Sequence, residues 1–181
     1  CYMNDTNNNT SVVIRLLEKD DAAALYSYLT HLSAESKSRF GPHAFDKGTV
    51  DSICASLSNE ILRFIALDKE QKIVAYMLIK QGMQEGERMR YVANGIYLDE
   101  AVACTYAPSV ADAWQNAGLG TTMFNFIKHF VSKEGKKYMI LWGGVQATNS
   151  RAVHFYKKHH FIPVANFWYD DKDNIDMYLT L

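Results

Sequence analysis

Between residues 101 and 135 a β-forming run, a turn carrying two glycines and an amphipathic helix come one after another. This junction restricts the fold more than any other stretch. "AVACTYAPSV" reads as a strand, with Pro108 marking a bulge, an end or a stop in pairing. "ADAWQNAGLG" places Gly118 and Gly120 where a helix begins. "TTMFNFIKHFVSKEG" sets Met123, Phe126, Ile127 and Phe130 on one helical face, with Gly135 as the C′ stop. A helix N-terminus leaves its first amides unpaired and carries partial positive charge. Glycine there lets the backbone approach a ligand and take positive φ. Strand, glycine turn and helix together make an anion-binding device, although two glycines alone fit a plain turn equally well.

The flanking elements narrow the fold class. "SVVIRLL" reads as a first strand. "EKDDAAALYSYLTHL" carries Ala23, Leu25, Leu29 and Leu32 at helical spacing, with Asp20 or Asp21 as N-cap. "SRFGPHAFDKG" is a loop, and "TVDSICASLSN" a short helix with Thr49 as its expected cap. Two β-rich runs flank "DKEQ" and predict a hairpin. "MQEGERMRYVANGIYLDE" reads as a loop or insertion. "KYMILWGGVQ" is a strand ending at Gly143-Gly144, and "NSRAVHFYKKHH" is a helix opened by Asn149. "FIPVANFWY", the turn "DDKDN" and "IDMYLTL" form a last hairpin. The predicted class is α/β (mixed α+β): one domain over residues 11–181, with a mixed twisted sheet. Residues 1–10, rich in Asn and Thr, read as a disordered tail or an expression remnant.

Composition excludes several function classes. The chain has 181 residues, which suits one domain with a proper core. Net charge is −1, so bulk electrostatics favour neither nucleic acid nor an anionic membrane. No apolar run approaches the roughly 18 residues of a membrane span. "CYMNDTNNNT" lacks the basic and apolar regions of a signal peptide, so the expected location is cytoplasmic. The three cysteines, Cys1, Cys54 and Cys104, fit reduced thiols better than a disulfide framework. His154 and His159 do not share a helical face, and no metal site is expected.

Three phosphate-binding readings compete at the glycine turn. A Walker A loop needs lysine after the last glycine, and Thr121 follows Gly120. A dinucleotide fingerprint needs a third glycine where Met123 stands. The third reading fits. Gln115-x-x-Gly118-x-Gly120 resembles the Gln/Arg-x-x-Gly-x-Gly/Ala motif of the GNAT superfamily (Gcn5-related N-acetyltransferases). "NSRAVHFYKKHHF" resembles that family's later Asn-x-x-Ala-x-x-Phe-Tyr-x-x-x-Gly-Phe segment. The order of elements matches over roughly residues 11–181.

The resemblance implies a GNAT fold with about six to seven strands flanked by about four helices. It implies acetyl-CoA as cofactor, its pyrophosphate cradled by the amides of Asn116, Ala117, Gly118, Leu119, Gly120 and Thr121. Gln115 would hold the start of the turn. The backbone of Val110, Ala111 and Asp112 would pair with the pantetheine arm like an added strand. Asn149 would also bond the cofactor, and Tyr156 would aim its hydroxyl at the thioester sulfur. The implied activity is acetyl transfer to a primary amine on a small molecule or peptide, by a monomer or homodimer. The alternative is a silent acyl-CoA-binding regulatory domain of the same fold. Glu85, Glu87, Asp99 and Glu100 surround the long segment before the fourth family strand, and Glu100 is the expected general base.

Two departures from the family pattern matter. Asn116-Ala117 stands where relatives carry Gly-Arg. Asn tolerates positive φ, but an arginine partner for phosphate is missing. Lys157, Lys158 or Arg151 would have to supply that charge. His160 replaces a glycine at the end of its helix, so strain of roughly 1 kcal/mol is expected there. Residues 32–46 lie where the family shapes its acceptor side.

Overall fold

The computed structural model describes residues 11–181, with the backbone of Met3–Asn4. The expectation of a disordered tail over residues 1–10 otherwise lies outside the described residues. Along the chain come β1 (Met3–Asn4), β2 (Val13–Leu16), α1 (Ala22–His31), α2 (Ala34–Ser38), α3 (Lys47–Ala55), β3 (Ile61–Leu67) and β4 (Ile73–Gln81). After them come α4 (Glu85–Ala93), β5 (Ala103–Val110), α5 (Leu119–Lys133), β6 (Tyr138–Leu141), β7 (Val145–Gln146), α6 (Ser150–Lys158), β8 (Ile162–Tyr169) and β9 (Lys172–Thr180). The predicted mixed α/β class holds. The counts run higher than expected because β1 and β7 have two residues each, α2 forms in a stretch with no expected element and α4 forms in a segment read as loop or insertion.

The chain divides into two compact units, Cys1–Ile79 with Ala107–Ile127, and Lys80–Tyr106 with Lys128–Leu181. In the first unit the strand order is β1-β2-β3-β4-β5. β2 lies antiparallel between β1 and β3, in register Ile14↔Ala66. The hairpin predicted at "DKEQ" closes with the Asp68 amide on the Lys72 carbonyl at 2.9 Å. β4 is buried at every position from Ile73 to Ile79, so it carries a continuous apolar run where a half-exposed strand would alternate. Leu25 and Leu29 of α1 and Val50 of α3 add fully buried side chains to this unit's core.

The N-cap of α1 falls on Asp21, one of the two expected residues, whereas that of α3 shifts from Thr49. Asp21 stands at the N-cap of α1, yet its carboxylate pairs with Arg15 at 2.7 Å and accepts the Glu18 amide at 2.7 Å. The Arg15 guanidinium holds the Asp21 carboxyl below its ordinary value. α3 starts two residues before Thr49, because Asp46 is the cap and its side chain accepts the Thr49 amide at 3.0 Å.

In the second unit β5 runs parallel to β6, from Ala103↔Tyr138 to Tyr106↔Leu141. β6, β7 and β8 each pair antiparallel with β9, and a bulge at Pro163/Ala165 breaks the β8 register. Gly135 closes α5 at φ +85, as expected of a C′ glycine. His160 takes φ +70, and the Phe161 amide returns to the Tyr156 carbonyl at 3.0 Å, so the strained helix end predicted at that histidine is present. Cys54 and Cys104 are free, buried thiols, and burial pushes Cys104 up to about 12. Among the described residues no helix is long and apolar enough to cross a membrane.

α4 was invisible to apolar periodicity because its two buried residues are Glu87 and Tyr91. It is anchored by polar contacts. Arg90 forks onto Asp176 at 2.7 and 3.1 Å and lies 3.8 Å over the Phe167 ring, and the Tyr91 hydroxyl donates to the Met177 carbonyl at 2.9 Å.

Gly144 shows how tightly the start of β7 is fitted. Its φ is +67, and a Cβ there would stand 2.7 Å from the Ile175 carbonyl oxygen and 2.9 Å from the Phe167 ring. Gly144→Ala is therefore expected to cost about 2 kcal/mol or more, read as a lowered urea midpoint. Gly118→Ala meets open space and should cost only the positive-φ penalty of roughly 1 kcal/mol.

Candidate functional site

In the first unit the extended run of β5 stops at Val110. The Ala111 amide donates to the Val74 carbonyl at 2.9 Å, and Asp112 to Trp114 then form one tight helical turn. Of the three residues expected to pair with a pantetheine arm, Ala111 has thus committed its amide to β4. Asp112 has left extended geometry. β6 pairs with β5 only as far as Tyr106, so strand alternation aims the Val110 amide at the edge away from β4.

Gln115 anchors the glycine turn. Its side-chain nitrogen lies 3.1 Å from the Val110 carbonyl, 3.2 Å from the Ser36 hydroxyl and 3.3 Å from an Asp112 carboxylate oxygen. Asp112 in turn accepts the Ser33 amide at 2.7 Å, the Ser33 hydroxyl at 3.0 Å and the Ser36 hydroxyl. The Ser36 hydroxyl, with the Ser33 donors, holds the Asp112 carboxyl below its ordinary value. Ser33 is itself the N-cap of α2. The start of the turn is thereby tied to the start of α2. Sequence reading missed Ser33 and Ser36, whose only signal was the capping pattern "SAES".

Beyond Gln115 the backbone turns through positive φ twice, at Asn116 (+62) and Gly118 (+84), and enters α5 at Leu119. Thr122 is the first residue whose amide finds a backbone carbonyl, that of Gly118, at 3.1 Å. Among the described residues, the amides from Asn116 to Thr121 have no protein acceptor. A Cβ built at Gly118 or at Gly120 would meet nothing within 4 Å. Six successive donors, open space above both glycines and the positive end of a helix of 15 residues suit a phosphate-bearing ligand. The residues present therefore fit the pyrophosphate that the sequence motif implies.

The remaining expected site residues lie in the second unit. Asn149 caps α6, its side-chain oxygen 3.4 Å from the Ala152 amide. Tyr156 is buried, with its ring edge-on to Phe155 at 5.6 Å and to Phe161 at 5.2 Å. Burial raises its phenol well above the ordinary value, so the group stays protonated at neutral pH. No hydrogen bond holds its hydroxyl among the described residues, and that oxygen is not fully enclosed.

Glu100, the expected general base, lies just before β5. It is exposed and paired with Arg88 at 3.2 Å. It precedes β5 while Val110 ends it, and strands rise roughly 3.3 Å per residue, so about 25 Å of strand separates them. Glu87 is the carboxylate that burial perturbs. It accepts the Gly143 amide at 2.9 Å and the Gln84 amide at 3.4 Å, and burial raises it above its ordinary 4.5. Both contacts make it a staple between the start of α4 and the end of β6.

The model of the acetyltransferase (GNAT) family matches residues 25–161. The chain belongs to this family of acyltransferases. No curated protein sequence matches it. Among solved structures it is similar to ribosomal-protein-S5-alanine acetyltransferase from Vibrio fischeri, at 13% identity, covering 99% of this chain and 96% of that one, TM-score 0.74. It is similar to the GNAT domain of PAT from S. lividans, at 17% identity, covering 94% and 91%, TM-score 0.73. It is also similar to aminoglycoside acetyltransferase AAC(6')-Ib in complex with coenzyme A, at 19% identity, covering 94% and 95%, TM-score 0.68.

The Glu87 staple has a pH signature. Because the folded state binds this proton more tightly than the unfolded chain, stability falls as pH rises from the ordinary carboxylate value through the raised one. Glu87→Gln keeps an acceptor for Gly143 without the charge. In urea titrations between pH 4 and 8 it is expected to gain stability relative to the parent as pH rises. A constant difference across that range would show that the buried charge carries no cost.

Proposed function

We propose that the chain transfers an acetyl group from acetyl-CoA to a primary amine. The observation that carries this reading is the run of six amides, Asn116 to Thr121, with no protein acceptor at the start of α5. Acetyl-CoA supplies a thioester, whose acyl carbon is open to nucleophilic attack. The chain's part begins with binding: the amide run takes the pyrophosphate, and Gln115 keeps the turn in shape. The Val110 amide, on the free edge of β5, is the proposed donor to the thioester oxygen, which gains negative charge as the amine attacks.

The attacking amine must be neutral. A C–N bond forms, the C–S bond breaks, and the amine's surplus proton passes to water. On the strength of the family motif at "NSRAVHFY", Tyr156 is the proposed donor of a proton to the leaving thiolate. Its hydroxyl has no hydrogen-bond partner among the described residues. Tyr156 then recovers its proton from solvent. Asn149 is proposed as a further cofactor contact, on the strength of the family motif at "NSRAVHFY". The acceptor is proposed to be a small molecule or peptide. A silent acyl-CoA-binding domain is the second reading, favoured by the length of strand that separates Glu100 from Val110.

Release of free thiol from acetyl-CoA across a panel of primary amines tests the proposal. Tyr156→Phe is expected to lower turnover by about 100-fold with CoA affinity unchanged. Tight CoA binding with no thiol release from any amine would establish the silent reading. In the same assay Ala117→Arg adds the phosphate partner this turn lacks. It should tighten acetyl-CoA by about 0.5 kcal/mol, roughly twofold; weaker binding would contradict the placement of the turn.

A further inference from the structure

The first unit holds a second set of groups that the acetyl-transfer scheme leaves unused. Arg63, on β3, is half-buried, and no carboxylate lies within ion-pair distance of it among the described residues. It spends one donor on the protein, from Nη1 to the Tyr76 hydroxyl at 2.6 Å. A guanidinium has five N–H donors, so most of the fork is uncommitted. A partly desolvated cation with no counter-ion is costly to hold, and an incoming anion would offset that cost.

The groups around it are fixed and neutral. His43 Nδ1 lies 2.7 Å from the Ala44 carbonyl, and this assigns its proton there. Its Nε2 is then the acceptor for the Tyr76 O–H, 3.0 Å away. Burial keeps the imidazole below its ordinary value and pushes the Tyr76 phenol up to about 12, so neither group supplies a negative charge to Arg63. The donors run in one direction: guanidinium to phenol, phenol to imidazole, imidazole to carbonyl. Aromatic rings wall this relay. Phe40 lies 5.3 Å from His43 and 5.8 Å from Tyr76, and Phe45 lies 6.5 Å from His43.

The relay also connects to β5. The Tyr76 carbonyl accepts the Ser109 hydroxyl at 2.7 Å, and Ser109 precedes Val110. Tyr28, buried in the same unit, donates its hydroxyl to Ser109 at 2.9 Å. A single strand, β4, therefore lies between the strand carrying the anion-seeking fork and the backbone assigned to the reacting carbonyl.

Resting on the proposed transfer to an amine, we infer that the acceptor is a small amine bearing a carboxylate and an apolar side chain. Its carboxylate would be held by the free fork of Arg63, beside the aromatic wall of Phe40, His43 and Phe45. Arg63 and carboxylate match in two parallel hydrogen bonds, which fixes orientation as well as affinity. Tyr76 acts as a positioning residue: it aims the guanidinium and pins the loop that carries His43.

L-phenylalanine and phenethylamine differ only in the carboxylate and make the test pair. Thiol release from acetyl-CoA is expected to give a kcat/KM at least about tenfold higher for L-phenylalanine. In Arg63→Gln that preference should vanish, while the rate with phenethylamine stays within about twofold. Equal rates in the parent protein, or a parallel fall for both acceptors in Arg63→Gln, would overturn the inference. If neither acceptor turns over, the wider amine panel decides the transfer reading, and calorimetry with N-acetyl-L-phenylalanine and N-acetylphenethylamine decides the subsite. Binding of the acid alone, lost in Arg63→Gln, would support it; binding of neither, or of both alike, would overturn it. Arg63→Lys replaces Arg63→Gln should the latter not fold, and is expected to retain part of the preference through its charge.

Discussion

A helix must leave its first amides without intrahelical partners, and the rest of this site depends on how α5 meets that constraint. Capping side chains ordinarily satisfy such donors, as Ser33 does for α2 and Asp46 for α3. At α5 no such side chain is present among the described residues. The chain instead approaches through two positive-φ residues, Asn116 and Gly118, and presents the amides outward. Gln115 makes this shape persist. Its bond to the Val110 carbonyl joins the Ala111–Val74 and Asp112–Ser33 contacts in fixing where the strand ends and the turn begins. The site is thus a backbone feature, and side chains matter by holding the backbone open.

The two units show different ways of fixing functional backbone with buried polar groups. In the first, Asp112 gathers three donors from Ser33 and Ser36, so that α2 and the turn share one carboxylate. In the second, Glu87 stitches the start of α4 to Gly143, while Arg90 and Asp176 anchor the helix to β9. A buried ion pair gives little net stability, but breaking one partner is costly, and such pairs specify a unique placement. α4 has few apolar residues to bury, so polar anchors determine where it lies.

Much of the fold was legible in the sequence because it rests on periodicity and punctuation. The Gly135 stop, the Asp68 hairpin and the positive φ of Asn116 and His160 were all readable. Each obeys a local rule that tertiary contacts left intact. α4 was not, since its buried face carries Glu87 and its anchor is the distant Asp176. The cap of α3 lies at Asp46 and not at Thr49, because the Thr49 amide donates to the Asp46 carboxylate. Of the site, the glycine turn was legible as a motif. The Ser33–Asp112 link and the Arg63–Tyr76–His43 relay were not, because they join residues from separate elements.

The central claim is that the amides from Asn116 to Thr121 are the phosphate cradle. Backbone amide NMR on the uniformly labelled protein, titrated with CoA, addresses it directly. The largest shift changes are expected on these six residues, and the same amides should become protected from hydrogen exchange. Binding of CoA with those six signals unmoved, and the changes gathered elsewhere, would contradict it.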